Sequence, residues 1–285
     1  DCKSNTIDNF HSMKFTVIRK LNYSRSNIRH SKGYQINLDD WIRNPYSNIK
    51  AKLFIEISSL IVFVLQKTKV TPNFLTIFNS ILVLIGGYLI AFADDNFKLI
   101  GILIFFSQGV LDWADGLLAK IKKQSSDVGY VLDPWSGFLN YNFFVISIGF
   151  YLHNLLNLDI YFYLIIFYLC LRYFDLRNYS YMFVMYEKLN GRIKGKKKKK
   201  LNKSIKVNNI LSIFKNIIQN ILNDRSHWID TVLLVFVIEI YYGRVILTEY
   251  IFYIIIFNNL LLFLGGFYLC FFKNFISSII NSVKN

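Results

Sequence analysis

The chain is poor in cysteine, histidine and acid. Its three cysteines, Cys2, Cys170 and Cys270, are odd in number and far apart, and no pair has metal-ligand spacing. That argues against a cysteine metal site. Cys170 and Cys270 fall inside apolar runs and read as small hydrophobes. The four histidines form no cluster: His11, His30 and His227 read as surface residues, and His153 belongs near the membrane face opposite the site discussed below. Asp and Glu total 18 against 33 Lys and Arg, giving a formal net charge of +15. No nucleic-acid-binding motif accompanies that basicity, and Lys and Arg lie between the apolar runs rather than in them. The pattern fits the basic face of a membrane protein and no nucleic-acid partner. Residues 1–50 are polar and mixed, so no signal peptide is expected. No internal repeat is evident.

What the chain has in abundance is apolar sequence: 54% hydrophobic residues, 18% aromatic, and a mean hydropathy of +0.35. Several runs approach the ~20 residues needed to cross a bilayer core. Residues 1–46 show no clear period and read as a cytoplasmic N-terminal segment. Over 47–69 Leu53, Ile55, Ile57, Leu60, Ile61, Val64 and Leu65 favour one helical face between flanking lysines, predicting an interfacial amphipathic helix. Residues 70–285 form the membrane domain. Val70-Thr71-Pro72-Asn73 breaks the helix, and Pro72 suits the first turn of the next. Six spans are expected, at about 74–93, 98–118, 137–156, 160–174, 229–242 and 250–272, with a polar loop over 120–133 and a basic cytoplasmic loop over 175–228. Lys and Arg concentrate in the loops after spans two and four and at both ends, which places both termini in the cytoplasm. The run Lys196–Lys200 reads either as a solvated loop or as an attraction to anionic lipid. Residues 207–222 look like a second interfacial helix. The fold class is therefore an all-α integral membrane protein, a bundle of six transmembrane helices with amphipathic interfacial helices. The richness in Ile, Asn, Lys, Tyr and Phe points to an AT-rich bacterial genome and an inner membrane.

The second span ends Val110-Leu111-Asp112-Trp113-Ala114-Asp115-Gly116-Leu117-Leu118-Ala119-Lys120. Asp112 and Asp115 are three apart and share a helix face. An ionised residue at the bilayer centre costs roughly 2.5–3.5 kcal/mol, whereas each large aliphatic side chain returns only ~0.3–0.6 kcal/mol. The pair must be neutralised. A divalent cation such as Mg²⁺ or Mn²⁺ would do it; a proton or ion pathway and Asp–Lys pairing within the bundle are the alternatives. Gly116 and Ala119 leave room for a flat ligand or for close helix packing. Gly129 permits a close approach, and Asp133-Pro134 stands just before the third span, where Pro134 can open a helix and Asp133 can join the site.

These residues carry a resemblance. The family of CDP-alcohol phosphotransferases has the motif Asp-x2-Asp-Gly-x2-Ala-Arg-x8-Gly-x3-Asp-x3-Asp. Here Asp112, Asp115, Gly116, Ala119, Gly129 and Asp133 stand at identical spacing, with Lys120 for the arginine and Gly137 for the last aspartate. Thr71-Pro72-Asn73-Phe74-Leu75-Thr76 likewise resembles the Pro-Asn-x-x-Thr opening of the family's first membrane helix.

The resemblance implies a membrane enzyme that moves a substituted phosphate from a CDP-alcohol to an acceptor hydroxyl with release of CMP, in phospholipid or related glycolipid synthesis. It implies a homodimer, and Mg²⁺ or Mn²⁺ held by Asp112, Asp115 and Asp133. Asn73, Thr76, Gly116, Ala119, Lys120 and Gly129 would line the nucleotide site. The family's final aspartate is its general base. With Gly137 in that place, Asp133 is the catalytic candidate, with Ser136, Asn140 and Tyr141 close by; a non-catalytic nucleotide- or lipid-binding protein of the same fold, or a transporter, is the alternative. Lys120 keeps charge but loses the bidentate fork of arginine. Lys122, Lys123, Arg172 and Arg177 are expected at the cytoplasmic face, either to bind a phosphorylated acceptor or simply as positive-inside charge.

Overall fold

The computed structural model describes residues 13–32, 45–189, 225–242 and 247–272, and among these every regular element is a helix. In chain order these are α1 (Phe15–Lys32), α2 (Pro45–Leu65), α3 (Pro72–Phe92), α4 (Asp95–Ile121), α5 (Asp127–Leu156), α6 (Ile160–Tyr173), α7 (Leu176–Leu189), α8 (Arg225–Tyr242) and α9 (Leu247–Phe272). Among the described residues, three helices are long and apolar enough to cross a membrane by length and composition: Pro72–Phe92, Asp95–Ile121 and Leu247–Tyr268. At ~1.5 Å per residue, the 14 residues of α6 reach about two thirds of a ~30 Å hydrocarbon core.

The helices are built into two compact units, one comprising Asp1–Gly86 and Ile100–Asn140, the other Gly87–Leu99 and Tyr141–Asn285. In the first, α1 lies antiparallel to α2. Main-chain Met13 pairs with the Gln66 amide (3.0 and 3.1 Å). Further along, Asn22 Nδ2 sits 3.1 Å from Ile55 O and 3.0 Å from both Ser58 Oγ and Ser59 Oγ. Arg19 Nε lies 2.7 Å from both Glu56 oxygens, and Tyr23 donates to the same carboxylate. Ile18, fully buried, joins Val62, Leu75, Ala114, Leu117, Leu118 and Ile121 in one core. On α3 and α4, Gly86 lets the two helices approach: a Cβ there would meet Ile104 Cγ2 at 2.9 Å. Ile49, Leu53, Ile57, Leu60 and Val64 of α2 form an exposed apolar stripe at helical spacing.

In the second unit α9 packs against α6, α7 and α8. Phe144, Ile148, Tyr161, Ile165, Phe236 and Phe252 are buried there. Glu239 Oε1 accepts from the backbone N–H of Leu247 (2.5 Å) and Thr248 (3.1 Å), so a carboxylate caps the start of α9.

Four local expectations change. The stretch 1–46 contains α1, whose docking face Ile18, Asn22 and Arg25 is too short and too polar to register as a hydrophobic period. The polar loop expected over 120–133 ends early, because Ser126 caps α5: its Oγ accepts from Gly129 N–H at 3.0 Å. Pro134 therefore sits inside α5 rather than opening it. The basic stretch 175–228 begins with α7. The Lys196–Lys200 run, the helix expected at 207–222, His11, and the side chains of His30, His227 and Arg177 lie outside the described residues.

Candidate active site

Three helix segments far apart in sequence converge on one cavity of about 220 Å³ in the first unit. The start of α3 is set by Thr71, whose Oγ1 accepts from Phe74 N–H at 3.2 Å, with Pro72 at the first helical position. That cap delivers Asn73 and Thr76 to the cavity. The last turns of α4 deliver Asp115, Gly116 and Ala119. The capped start of α5 delivers Ser126, Gly129, Tyr130 and Asp133. Two helix N-termini thus face the space that two carboxylates line, and orphan N–H groups at such ends favour anions.

Asp115 is buried, and Thr76 Oγ1 donates to its Oδ2 at 2.5 Å. Asp133 is exposed and close enough for its charge to act on Asp115. Gly129 is required by contact: a Cβ would stand 2.8 Å from Asn73 Oδ1 and 3.2 Å from Ser126 Oγ, in the seam where Asn73 Nδ2 reaches Ser126 Oγ at 3.4 Å. Only glycine lets the first turn of α5 come so near α3.

Of the residues singled out from sequence, Asn73, Thr76, Asp115, Gly116, Ala119, Gly129 and Asp133 line this cavity together. Asp112, half-buried, and Lys120, exposed, do not line it. Lys122 is buried, with Nζ donating to Thr68 O and Val70 O, both at 2.7 Å; burial lowers its pKa from the ordinary lysine value. Lys123 is exposed at φ 53° and terminates α4: Gln124 N–H donates back to Ala119 O at 3.0 Å, closing a Schellman turn. Arg172 belongs to the second unit, buried, with Nε donating to Asn142 Oδ1 at 3.2 Å and Nη1 3.8 Å from Asp175. Beside Gly137, Ser136 Oγ lies 2.9 Å from Ser80 Oγ, and Asn140 Nδ2 is 3.5 Å from Ser136 Oγ. Tyr141 belongs to the second unit, its ring beneath the Arg172 guanidinium. An added Cβ at Gly137 would meet nothing within 4 Å.

Among the described residues, no three or more His, Cys, Asp or Glu side chains are gathered as a metal cage. The cavity instead offers two carboxylates. That donor set fits Mg²⁺ or Mn²⁺ shared with a phosphorylated ligand, because such ions are commonly held by one or two carboxylates together with substrate phosphates. Arg25 of α1, Gln124, Ser125, Ser126 and Tyr130 also line the cavity. Of these, Ser126 carried a local signal, a serine three residues before Gly129. Arg25 carried none, since its place depends on how α1 docks.

The profile of the CDP-alcohol phosphatidyltransferase family matches residues 69–256. A CDP-diacylglycerol–glycerol-3-phosphate 3-phosphatidyltransferase of Haemophilus influenzae is 48% identical over 65 residues, which make up 22% of this chain and 34% of that protein. Putative cardiolipin synthases of Mycobacterium bovis and Mycobacterium tuberculosis are 40% identical over 63 residues, 22% of this chain and 29% of theirs. The matched stretch thus spans about a third of the length of these curated relatives.

Proposed function

Since the chain belongs to the CDP-alcohol phosphatidyltransferase family, we propose that it is a membrane phosphotransferase of phospholipid synthesis, taking a substituted phosphate from a CDP-alcohol to an acceptor hydroxyl and releasing CMP. The observation that carries this reading is the lining of the cavity. Asn73, Thr76, Asp115, Gly116, Ala119, Gly129 and Asp133, distant in sequence and each part of the motif pattern, surround one space.

In this reading the small faces of Gly116, Ala119 and Gly129 accept the nucleotide, and Asn73 and Thr76 orient it, Thr76 by fixing the Asp115 carboxylate. Asp115 and Asp133 would hold Mg²⁺ or Mn²⁺, with Asp112, one turn before Asp115, as the third carboxylate. When bound, the ion supplies neutralisation of charge on the pyrophosphate. Asp133, the exposed carboxylate of the cavity, takes the proton of the acceptor hydroxyl. The hydroxyl oxygen bonds to the phosphorus that carries the donor alcohol, and the bond from that phosphorus to CMP breaks, CMP leaving with the electron pair. Base assistance of this kind contributes about 10²–10⁴-fold.

The membrane setting we propose has six spans (α3, α4, α5, α6, α8 and α9) with both termini cytoplasmic in a bacterial inner membrane, and a homodimer. The exposed stripe of α2 supports an interfacial position for that helix, since an apolar face of that length needs cover. Lys120 would meet the nucleotide from outside the cavity, and Lys123, exposed at the end of α4, would favour an anionic acceptor, whereas Lys122 is held by Thr68 O and Val70 O.

The test is CMP release by the purified chain in liposomes with Mg²⁺ or Mn²⁺, offering CDP-diacylglycerol or CDP-choline-type donors and a panel of acceptors, beside Asp115→Asn. Metal-dependent release that Asp115→Asn abolishes is the expected result. Saturable CDP binding without release from any pair would replace it with a non-catalytic, nucleotide-binding role tied to Gly137.

A further inference from the structure

The cavity carries one feature that lies outside the motif and outside the matched residues 69–256: Arg25 of α1. Its guanidinium sits against Gly116, where an added Cβ would collide with Nη2 and stand 2.9 Å from Cζ and 3.0 Å from Nη1. Nη1 also lies 3.4 Å from Trp113 O. This placement is not incidental to a loose N-terminal segment. Ile18, two turns earlier on the same helix face, is fully buried in the core that includes Leu117 and Leu118 of α4. Asn22, one turn earlier, is tied to Ile55, Ser58 and Ser59 of α2. The docking of α1 therefore aims position 25 at the cavity. Among the described residues that line it, Arg25 is the one cation; Lys120, which stands in the motif's arginine position, is exposed and outside.

Resting on the transferase reading above, we propose that Arg25 is an anion-binding residue of this site, a guanidinium supplied by α1 that pairs with the phosphates of a nucleoside diphosphate ester. The charges motivate it. The two carboxylates that line the cavity sum to zero with one divalent cation, so a bound diphosphate diester, with half-buried Asp112 beside it, would leave at least two negative charges in a partly buried space. Arg25 removes one of them, and its planar fork suits two phosphate oxygens at once, a geometry that lysine lacks. The substitution of Lys120 for the motif's arginine is then matched by an arginine from another helix. Specificity follows as well: the contact is to phosphate, so it recognises the diphosphate and is indifferent to the base.

The full chain in detergent with Mg²⁺ is titrated with CDP and with cytidine, for wild type, Arg25→Gln and Arg25→Lys, and KM for the CDP-linked donor is measured in parallel. Arg25→Gln is expected to weaken CDP by roughly ten- to a hundredfold, the value of a charge-assisted hydrogen bond, Arg25→Lys by less, and neither to change cytidine affinity. CDP affinity and KM unchanged in Arg25→Gln overturn the inference and leave the transferase reading standing. Equal losses for CDP and cytidine also overturn it, because they mark Arg25 as packing α1 rather than holding an anion. If the glutamine variant does not fold, the lysine variant decides: an unchanged CDP affinity overturns the proposal. A wild type that binds no CDP and releases no CMP removes the transferase reading and this inference together.

Discussion

The guanidinium of Arg25 occupies the room that Gly116 leaves by having no side chain: a Cβ at Gly116 would collide with Nη2 and stand 2.9 Å from Cζ. One residue of α1 and one of α4, 91 positions apart by subtraction of their numbers, thus share a single space. A glycine at the end of a membrane helix, where the family resemblance implies nucleotide approach, also accommodates a cation.

Gly116→Ala follows directly. The obstructing atoms are the far end of a flexible side chain, so the substitution displaces the guanidinium with little effect on the fold. The expected result is an unchanged melting temperature with CDP bound about tenfold more weakly, ~1.4 kcal/mol. Combined with Arg25→Gln, the loss should fall well short of the sum of the two, since both disturb one contact. Titration of the two single variants and the double variant checks this; full additivity would separate the two residues.

Thr76→Val removes the donor that reaches the buried Asp115 carboxylate at 2.5 Å while keeping side-chain shape. The carboxylate keeps its backbone hydrogen bond from Gly116, so the loss is that of one hydrogen bond to a charged group, about 1.5–3 kcal/mol. Thermal unfolding in detergent should show that loss in Thr76→Val and not in Thr76→Ser. Equal stability of all three would mean that the carboxylate is satisfied elsewhere.

The clamp between α1 and α2 should respond to acid. Hydrogen bonding from Arg19 holds the Glu56 carboxyl below its ordinary value, and Tyr23 adds to this, while burial opposes both. A depressed folded pKa means that the stabilisation is present above the unfolded value, about 4.3, and is lost as pH falls through the lower folded value. Wild type should therefore exceed Glu56→Gln in melting temperature at pH 7, with the difference closing below about pH 4. The pair is partly exposed, so the difference is small and should shrink further in high salt. A gap that persists at pH 3 would show that Glu56 acts through packing.

Gly137 is not demanded by space, since an added Cβ would meet nothing within 4 Å. It lies one turn beyond Asp133 on α5, so a side chain there projects from the same face. Gly137→Asp should fold as wild type does, since aspartate exceeds glycine in helix propensity by only ~0.3 kcal/mol and brings a charge. In the transferase reading it raises kcat for CMP release. A kcat that is unchanged would show that Asp133 suffices as the base.

Local patterns in the chain were enough for the helical class, for the position of α3, α4, α6, α8 and α9 to within a few residues, and for the motif residues that line the cavity. Long apolar runs and fixed motif spacing are local properties, and they survive without knowledge of packing. The Thr71-Pro72 start of α3 was legible for the same reason, because a cap is a contact between neighbours in the chain. The N-terminal turns of α5 were obscured by their polarity, although Ser126 and Gly129 hold the cap within three residues. Which of Asp112 and Asp115 meets the cavity was beyond local reasoning: at about 100° per residue they sit only about 60° apart on α4. The neighbouring helices decided it, and Thr76 captured Asp115. Arg25 depended wholly on tertiary structure. Nothing near it in sequence marks it for a site, and it reaches the cavity because Ile18 enters a core made by α2, α3 and α4, a contact between segments that meet only once the chain has folded.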